Sequence, residues 1–421
     1  MKILWFTNIP MPAVNAHFGR DPQGTGGWMG ELLDILKNNP EIEMGVVTAC
    51  PQFQDSRFKY QGVEYFIVHQ KWARLRRQFF PVDNNPVYVK KCAAIADIFK
   101  PDIVHIHGTE RFYGEMLCRG LLPCSVVFSL QGLMDAYSNW HNFFGKIPVL
   151  RILADNVSAT LKGQGFLLGY LGTRKQAVRE RRYLQQGRFF FGRTAWDRAT
   201  VRYYNDHAKY YCVNEVLRTP FWSKKWRFDA CTKHRIIFTN ARQPRKGTEL
   251  LLAAAKRLLP LYPGLKLVLI GSLGAGKYRK RLEEEIRTLQ GAVELLGPQN
   301  AREIANELSK AHIFISASYI DNSPNSVAEA QLVGTPVIAS YTGGVPSLVQ
   351  DGQTGLLFPT GDVPLLVDAI IRIFEDDSLA QSLSQQARET AAKRHNPNSI
   401  LAAQLKAYKD ILSRTAGKYP Q

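Results

Sequence analysis

The chain has 421 residues, 45% hydrophobic and 21% charged, and its 54 Lys and Arg against 36 Asp and Glu give a net charge of +18. That length exceeds what one hydrophobic core usually organises, so two domains are expected, and the composition excludes a disordered or fibrous chain. The six cysteines, Cys50, Cys92, Cys118, Cys124, Cys212 and Cys231, form no CxxC pair and have no His at zinc spacing, which points to reduced thiols and not to a zinc site or a disulfide framework.

The chain opens with an apolar run over residues 2–7 that ends in Asn8-Ile9-Pro10 and predicts a buried strand. The run is too short for a signal peptide, and no later stretch approaches the roughly 18 apolar residues that span a bilayer, so a cytoplasmic location is expected. A loop with Gly24, Gly26 and Gly27 precedes an amphipathic helix over 28–36, stopped by Asn38-Asn39-Pro40. Strands follow at 42–48, 63–68, 102–107 and 125–130. Short apolar strands alternating with helices predict a parallel sheet covered on both faces.

From 135 to about 204 the pattern turns helical, basic and irregular, and it is read as an insertion at the sheet edge. Regular alternation resumes at a strand over 235–240, then a helix at 249–258, a strand at 266–270 and a helix at 278–288. A strand at 293–296, a helix at 301–309, a strand at 313–316, a helix at 326–333 and a strand at 336–339 complete a second doubly wound unit. The expected domains are therefore 1–215 and 216–400, with a helix and tail over 401–421.

The charge is unevenly spread. Residues 140–235 hold 19 Lys and Arg against 6 Asp and Glu, interleaved with Phe143-Phe144, residues 166–171 and Phe189-Phe190-Phe191. Such a surface suits nucleic acid, an anionic membrane face or a phosphate-bearing substrate, unless it is a solvated face with the aromatics in the core. No helix-turn-helix, zinc finger or aromatic RNA-binding motif accompanies it, which disfavours nucleic acid.

In doubly wound sheets ligands bind beyond the carboxyl ends of the strands, and the candidate residues fall there. Asp321 and Glu329 flank a strand-to-helix turn containing Ser323, Pro324, Asn325 and Ser326. A helix start leaves backbone N–H groups free for a phosphate, and the two carboxylates can hold hydroxyls on either side of it. The alternative is a capping box in which Glu329 only bonds the backbone near Ser326. Arg242 and Lys246, between a strand and a helix, can neutralise a diphosphate, the first as a bidentate fork and the second as a point charge. The segment 271–278 nearly matches a P-loop, but Tyr278 stands where a short Ser or Thr hydroxyl would ligate magnesium, which excludes that reading. His105 and His107 share one face of a strand and lack a third metal ligand. His107, nearer the strand end, is expected to face a ligand, as is Gln131 at the end of the next strand.

Several of these motifs together resemble one family. Ile315-Ser316-Ala317-Ser318 leading to Asp321, Glu329-Ala330, residues 334–339, Gly343-Gly344 and residues 351–357 resemble the signature of family 4 glycosyltransferases, as do Arg242 and Lys246-Gly247. The Gly26-Gly27 loop and the strand carrying His107 resemble its acceptor-side domain. The resemblance implies an α/β GT-B fold, two Rossmann-like doubly wound domains facing across a cleft, with a final helix over 402–412 crossing back to the first. It implies a retaining transferase that takes a sugar from a UDP- or GDP-linked donor, with no metal and no further cofactor. The acceptor would be a glycan or a lipid-linked sugar in cell-surface polysaccharide synthesis. Arg242 and Lys246 would hold the diphosphate, Glu329 the ribose, Asp321 the sugar hydroxyls, and the backbone at Asn325 and Ser326 the distal phosphate. His107 would act at the reacting centre, and Gly26, Gly27 and Gln131 would contact the donor.

The chain departs from the family pattern in having Asp321 where Glu is usual and Gln131 where His is frequent. Its basic stretch also exceeds the usual connector, and an anionic membrane face is the partner expected for it. The competing readings are a nucleotide-sugar hydrolase or epimerase on the same scaffold and a basic nucleic-acid-binding protein.

Overall fold

The computed structural model describes residues 1–22, 26–71, 85–144, 166–274 and 276–416, in two compact units: Met1–Val216 with Pro397–Gln421, and Leu217–Asn396. Residues 145–165 of the expected insertion, and Gly24 of the glycine loop, lie outside the described residues.

The first unit runs β1 (Lys2–Thr7), α1 (Gly27–Lys37), β2 (Glu43–Cys50), β3 (Ser56–Tyr60), β4 (Val63–His69), α2 (Pro86–Phe99), β5 (Ile103–His107) and β6 (Ser125–Ser129). It continues with α3 (Phe166–Gln186), β7 (Phe189–Gly192), α4 (Ala195–Tyr204) and β8 (Lys209–Cys212). Its sheet has the order β3-β4-β2-β1-β5-β6-β7-β8, parallel except for the β3–β4 pair. Alternation along β1 sends Ile3 and Trp5 into the layer shared with α1 residues Met29, Leu32 and Leu36. Leu4 and Phe6 enter the opposite layer with Ala93 and Ala96 of α2 and Tyr183 of α3. Both faces are covered, which is why the strands read as unbroken apolar runs.

The second unit runs β9 (Arg235–Thr239), α5 (Thr248–Leu258), β10 (Lys266–Ile270), α6 (Gly276–Arg287), β11 (Val293–Gly297), α7 (Ala301–Lys310) and β12 (Ile313–Ser316). Then come α8 (Asn325–Val333), β13 (Val337–Tyr341), β14 (Leu356–Pro359), α9 (Val363–Glu375) and α10 (Asp377–Arg394). The all-parallel order β11-β10-β9-β12-β13-β14 reverses direction between β9 and β12.

The final helix, α11 (Pro397–Thr415), packs into the first unit's core through Ile400, Ala407, Tyr408 and Ile411. The Tyr408 hydroxyl accepts from Trp5 Nε1 at 3.2 Å and bonds His105 Nδ1 at 2.6 Å, while His105 Nε2 meets Ser129 Oγ at 2.6 Å. Burial, with the charge of Arg193, holds His105 neutral, its pKa down at about 3. Ser125 Oγ donates to Thr415 Oγ1 at 2.9 Å, and Tyr211 to Asp410 at 2.6 Å.

The basic span differs from expectation. It is no irregular insertion throughout, because β7 lies inside it as a regular strand between β6 and β8. Phe189, Phe190 and Phe191 are that strand and are buried, so they belong to the core and not to a surface patch. Four residues bracketed by basic helices leave too short a period to read.

Tyr408→Phe should leave Trp5 Nε1 and His105 Nδ1 without their buried partner and cost about 1–3 kcal/mol. Tyr408→Ala should cost about 3–5 kcal/mol. Denaturant midpoints at constant slope measure both, and an unchanged midpoint for Tyr408→Phe would show that the network contributes nothing.

Candidate functional site

The reversal between β9 and β12 sets the loops after these two strands side by side at the carboxyl edge of the sheet, where doubly wound folds bind ligands. After β9, Asn240 and Gly247 take positive φ (+66° and +74°) around a turn over Pro244–Lys246 that leads into α5. Gly247 is required there: a Cβ would lie 2.1 Å from the Ala317 carbonyl oxygen at the end of β12. The two loops are also bonded directly, Tyr319 N donating to Arg245 O at 2.8 Å and Arg245 Nη1 to Ile320 O at 3.4 Å.

At their junction Lys246 Nζ pairs with Asp321 Oδ2, which also accepts from Ser318 Oγ at 3.1 Å, while Arg245 Nη1 stands 3.7 Å from Oδ1. Asp321 is only 7% exposed. Burial alone would raise its carboxyl, but Lys246 and Arg245 beside it hold it below the ordinary aspartate range. Burial likewise draws the Lys246 ammonium below its usual pKa, with Asp321 opposing. Lys246 and Asp321, expected to serve different parts of a ligand, are joined in one ion pair, since neither charge can be withdrawn from water alone.

Helix α8 begins beside this pair. Its N-cap is Pro324 with no side-chain cap, and the N–H groups of Asn325 and Ser326 precede the first intrahelical bonds, Val327 N and Ala328 N to Pro324 O. Glu329, one turn in and 6% exposed, makes no capping box. Its Oε1 accepts instead from Arg218 Nε at 2.9 Å and pairs with Nη2 at 2.8 Å. Burial pushes the Glu329 carboxyl up, and Arg218 opposes that. Sequence reading missed Arg218, because nothing local around it signals a partner 111 positions away.

Arg242 is solvent-exposed and lines an open pocket of about 490 Å³ with Pro244, Ser272, Gly274 and Tyr278. The P-loop look-alike therefore forms a wall of this pocket. Tyr278 turns away from a phosphate role, its hydroxyl donating to Glu249 at 3.2 Å. Among the described residues, no group of three or more His, Cys, Asp or Glu side chains is placed to hold a metal.

The first unit reverses between β1 and β5, and its candidate residues fall out differently. His107 was expected to face a ligand but is fully buried, stacked on His105 at 4.1 Å between centroids and edge-on to Trp5 at 4.3 Å. Both residues sit on the strand face that α1 and α11 cover, and burial holds the His107 imidazole neutral. Gly26 is buried with φ +79° at the start of α1, where a Cβ would come 2.8 Å from Pro12; Gly27 is exposed with φ +52°. Gln131 is half-buried, its Nε2 3.5 Å from Met29 Sδ.

A carboxylate that sequence reading missed stands at this reversal. Glu110 accepts from Asn8 Nδ2 at 2.9 Å and from Gly132 N at 3.1 Å, joining the loops after β1, β5 and β6. Gly108 at φ +92° permits this fold-back, since a Cβ would sit 2.0 Å from Glu110 Oε2. A glycine two positions before an acid, just past a strand, was the available signal.

With this geometry in place, comparison with known proteins is decisive for the second unit: residues 221–390 match the model of the glycosyl transferases group 1. The second unit belongs to that family. The chain is 30% identical over 190 residues to a D-inositol 3-phosphate glycosyltransferase of Saccharomonospora viridis, covering 43% of this chain and 44% of that protein. It is 26% identical over 198 residues to a 2-deoxystreptamine N-acetyl-D-glucosaminyltransferase of Niallia circulans, 47% of this chain and 50% of that one. The matches thus span about half the length of these relatives. Sucrose-phosphate synthase of Thermosynechococcus elongatus shares the fold over 98% of this chain and 100% of its own, with TM-score 0.72 at 18% identity. Anabaena HepE in complex with UDP does so over 97% and 100%, with TM-score 0.63 at 18% identity. The fold is GT-B, built from two Rossmann-like α/β units.

Asp321→Asn should destabilise the second unit by on the order of 3 kcal/mol, because it strands a buried ammonium, whereas Asp321→Glu should recover most of that loss. Equilibrium unfolding checks this, and equal stability of the Asn variant and the wild type would contradict the pairing.

Proposed function

We propose that the chain is a retaining glycosyltransferase that takes a sugar from a nucleoside diphosphate donor bound at the β9–β12 reversal and passes it to a glycan or lipid-linked acceptor in cell-surface polysaccharide synthesis. One observation carries this reading. Arg242, the Lys246–Asp321 pair, the open start of α8 and the Arg218–Glu329 pair all lie at one strand edge within a group 1 glycosyl transferase domain. Departure of a nucleoside diphosphate builds negative charge, and fixed cations and helix N–H groups stabilise that charge without reorganising. Arg242 and Lys246 supply the cations here, so the transfer needs no bound metal.

Each polar group takes one part of the donor. Arg242, exposed at the pocket, grips the diphosphate with its fork, and the N–H groups of Asn325 and Ser326 receive the distal phosphate. Arg218 occupies Oε1 of Glu329 and opposes the upward push of burial on its carboxyl, which leaves Oε2 to accept from ribose hydroxyls. Asp321 reaches the sugar hydroxyls while it holds Lys246 in place. The crystal structure of HepE with UDP favours a uridine donor, with a guanosine donor as the alternative. The names of the two relatives point to different acceptors, so membership of the family leaves the acceptor open.

Arg242→Ala is the clean test of the diphosphate role, since that side chain is exposed and carries no part of the fold. It should lower turnover of the preferred nucleotide sugar about 10²–10³-fold with an unchanged melting temperature. Near-normal turnover would sink the assignment, and hydrolysis with no transfer to any acceptor would favour the hydrolase reading. Lys246→Ala should lose stability as well as turnover, because it abandons the buried Asp321.

Arg218 acts through Glu329. Arg218→Ala should raise KM for the donor about tenfold or more with a smaller change in kcat, and Arg218→Lys should recover part of the loss. Steady-state kinetics decides this, and a loss confined to kcat would remove Arg218 from the ribose side.

A further inference from the structure

Arg218 orients Glu329, yet it stands on a segment with little regular structure of its own. Residues 217–226 open the second unit and hold one short helix, Pro220–Ser223, which has no side-chain cap at Thr219. Whatever fixes this segment therefore decides where the Arg218 guanidinium lies.

The segment runs along α8 and is fastened at both ends of it. Near the start of α8, Arg218 pairs with Glu329, its guanidinium 4.9 Å from the ring centre of the buried Phe221. At the far end Trp226 N donates to Val333 O at 2.8 Å, and Trp226 Nε1 to Ala311 O at 2.7 Å. Arg388 of α10 supplies the tie between these points. Its Nη1 donates to Leu332 O at 2.5 Å and Val333 O at 3.3 Å, at the carboxyl end of α8, and to Lys224 O at 2.8 Å. Its Nη2 reaches Trp222 O at 3.4 Å.

This is an unusual use of a charge. Among the described residues Arg388 pairs with no carboxylate, and partial burial draws its guanidinium below its usual pKa. The planar fork instead spans carbonyls of two chain segments at once, which a single ammonium cannot do with the same geometry. The carbonyls at the end of α8 also carry the negative pole of that helix and favour a cation. Gly334, the C-cap of α8 at φ +89°, lets α10 come this close: a Cβ there would lie 3.1 Å from Ser384 Oγ and 3.7 Å from Arg388 Cβ.

We propose that Arg388 is a positioning residue for donor binding: by holding residues 222–224 against the end of α8, it sets Arg218 on one oxygen of Glu329 and leaves the other for the ribose. This role rests on the proposed donor site and adds to it a residue that acts on the donor only through Arg218 and Glu329.

Titration calorimetry of the full chain with UDP and with GDP tests it. For the nucleotide that the wild type binds, Arg388→Met should weaken affinity about fivefold and Arg388→Lys about twofold. In an Arg218→Ala background Arg388→Met should add less than about twofold, because the contact through which it acts is already gone. With the nucleotide sugar the loss should fall on KM, with kcat within about twofold of the wild type. Arg235→Met is the control for stability: it removes another partly buried guanidinium of the same unit, paired with Glu294 and Glu307 at the amino end of β9, opposite the ligand edge. It should lower the melting temperature and leave affinity unaltered. Unchanged affinity in Arg388→Met, losses that multiply in the double variant, or an equal loss in Arg235→Met would each overturn the role of Arg388 while the donor site stands. A wild type that binds neither nucleotide would remove the donor site itself, and this role with it.

Discussion

A lysine and an aspartate withdrawn from water at the point where the strand order of a parallel sheet reverses set the form of the second unit's proposed donor edge. Neither charge is tolerable there without the other, so the loops after β9 and β12 must meet. The rest of the edge follows from that meeting. Gly247 removes the Cβ that would strike Ala317, Tyr319 bonds Arg245, and α8 starts just after Asp321 with the N–H groups of Asn325 and Ser326 ahead of its first intrahelical bonds. Arg242 stands at the rim of the same loop, free to meet an anion that Lys246 alone could not neutralise.

Glu329 shows the same logic on the neighbouring side. A buried carboxylate tends toward its neutral form, and a neutral acid is a poorer partner for hydroxyls than a carboxylate. Arg218, near the start of the same unit, opposes that tendency and fixes one oxygen while leaving the other. Two ion pairs, one just before the α8 start and one a turn inside it, thus accompany the proposed donor site. In the first unit a different economy operates: Glu110 is held by an amide and a backbone N–H, and His105 and His107 are spent on the core that receives α11.

Much of this was legible in the sequence, for reasons that particular residues make plain. Strands such as Lys2–Thr7 and Ile313–Ser316 are buried on both faces, so they announce themselves as unbroken apolar runs. That Arg242, Lys246, Asp321 and Glu329 follow β9 and β12 was legible because those strands are apolar runs with polar ends, and residues 221–390 match the model of the glycosyl transferases group 1. The pairing among them was not recoverable. That Lys246 would meet Asp321, or Arg218 meet Glu329, depends on register between strands far apart in sequence, which no local period reports. His107 misled for the complementary reason: two alternating histidines fix a shared face, but only the packing of α1 and α11 reveals that the face is interior. The strand Phe189–Gly192 was hidden because its four residues are flanked by cations that dominate any window.

The central claim is that fixed cations and a helix start at the β9–β12 reversal receive a nucleoside diphosphate without help from a metal. Calorimetric titration of the full chain with UDP and GDP, with and without EDTA, tests it most directly. The account predicts saturable one-to-one binding of one of the two that EDTA leaves unchanged. Binding that vanishes on chelation, or no binding of either nucleotide, would contradict it.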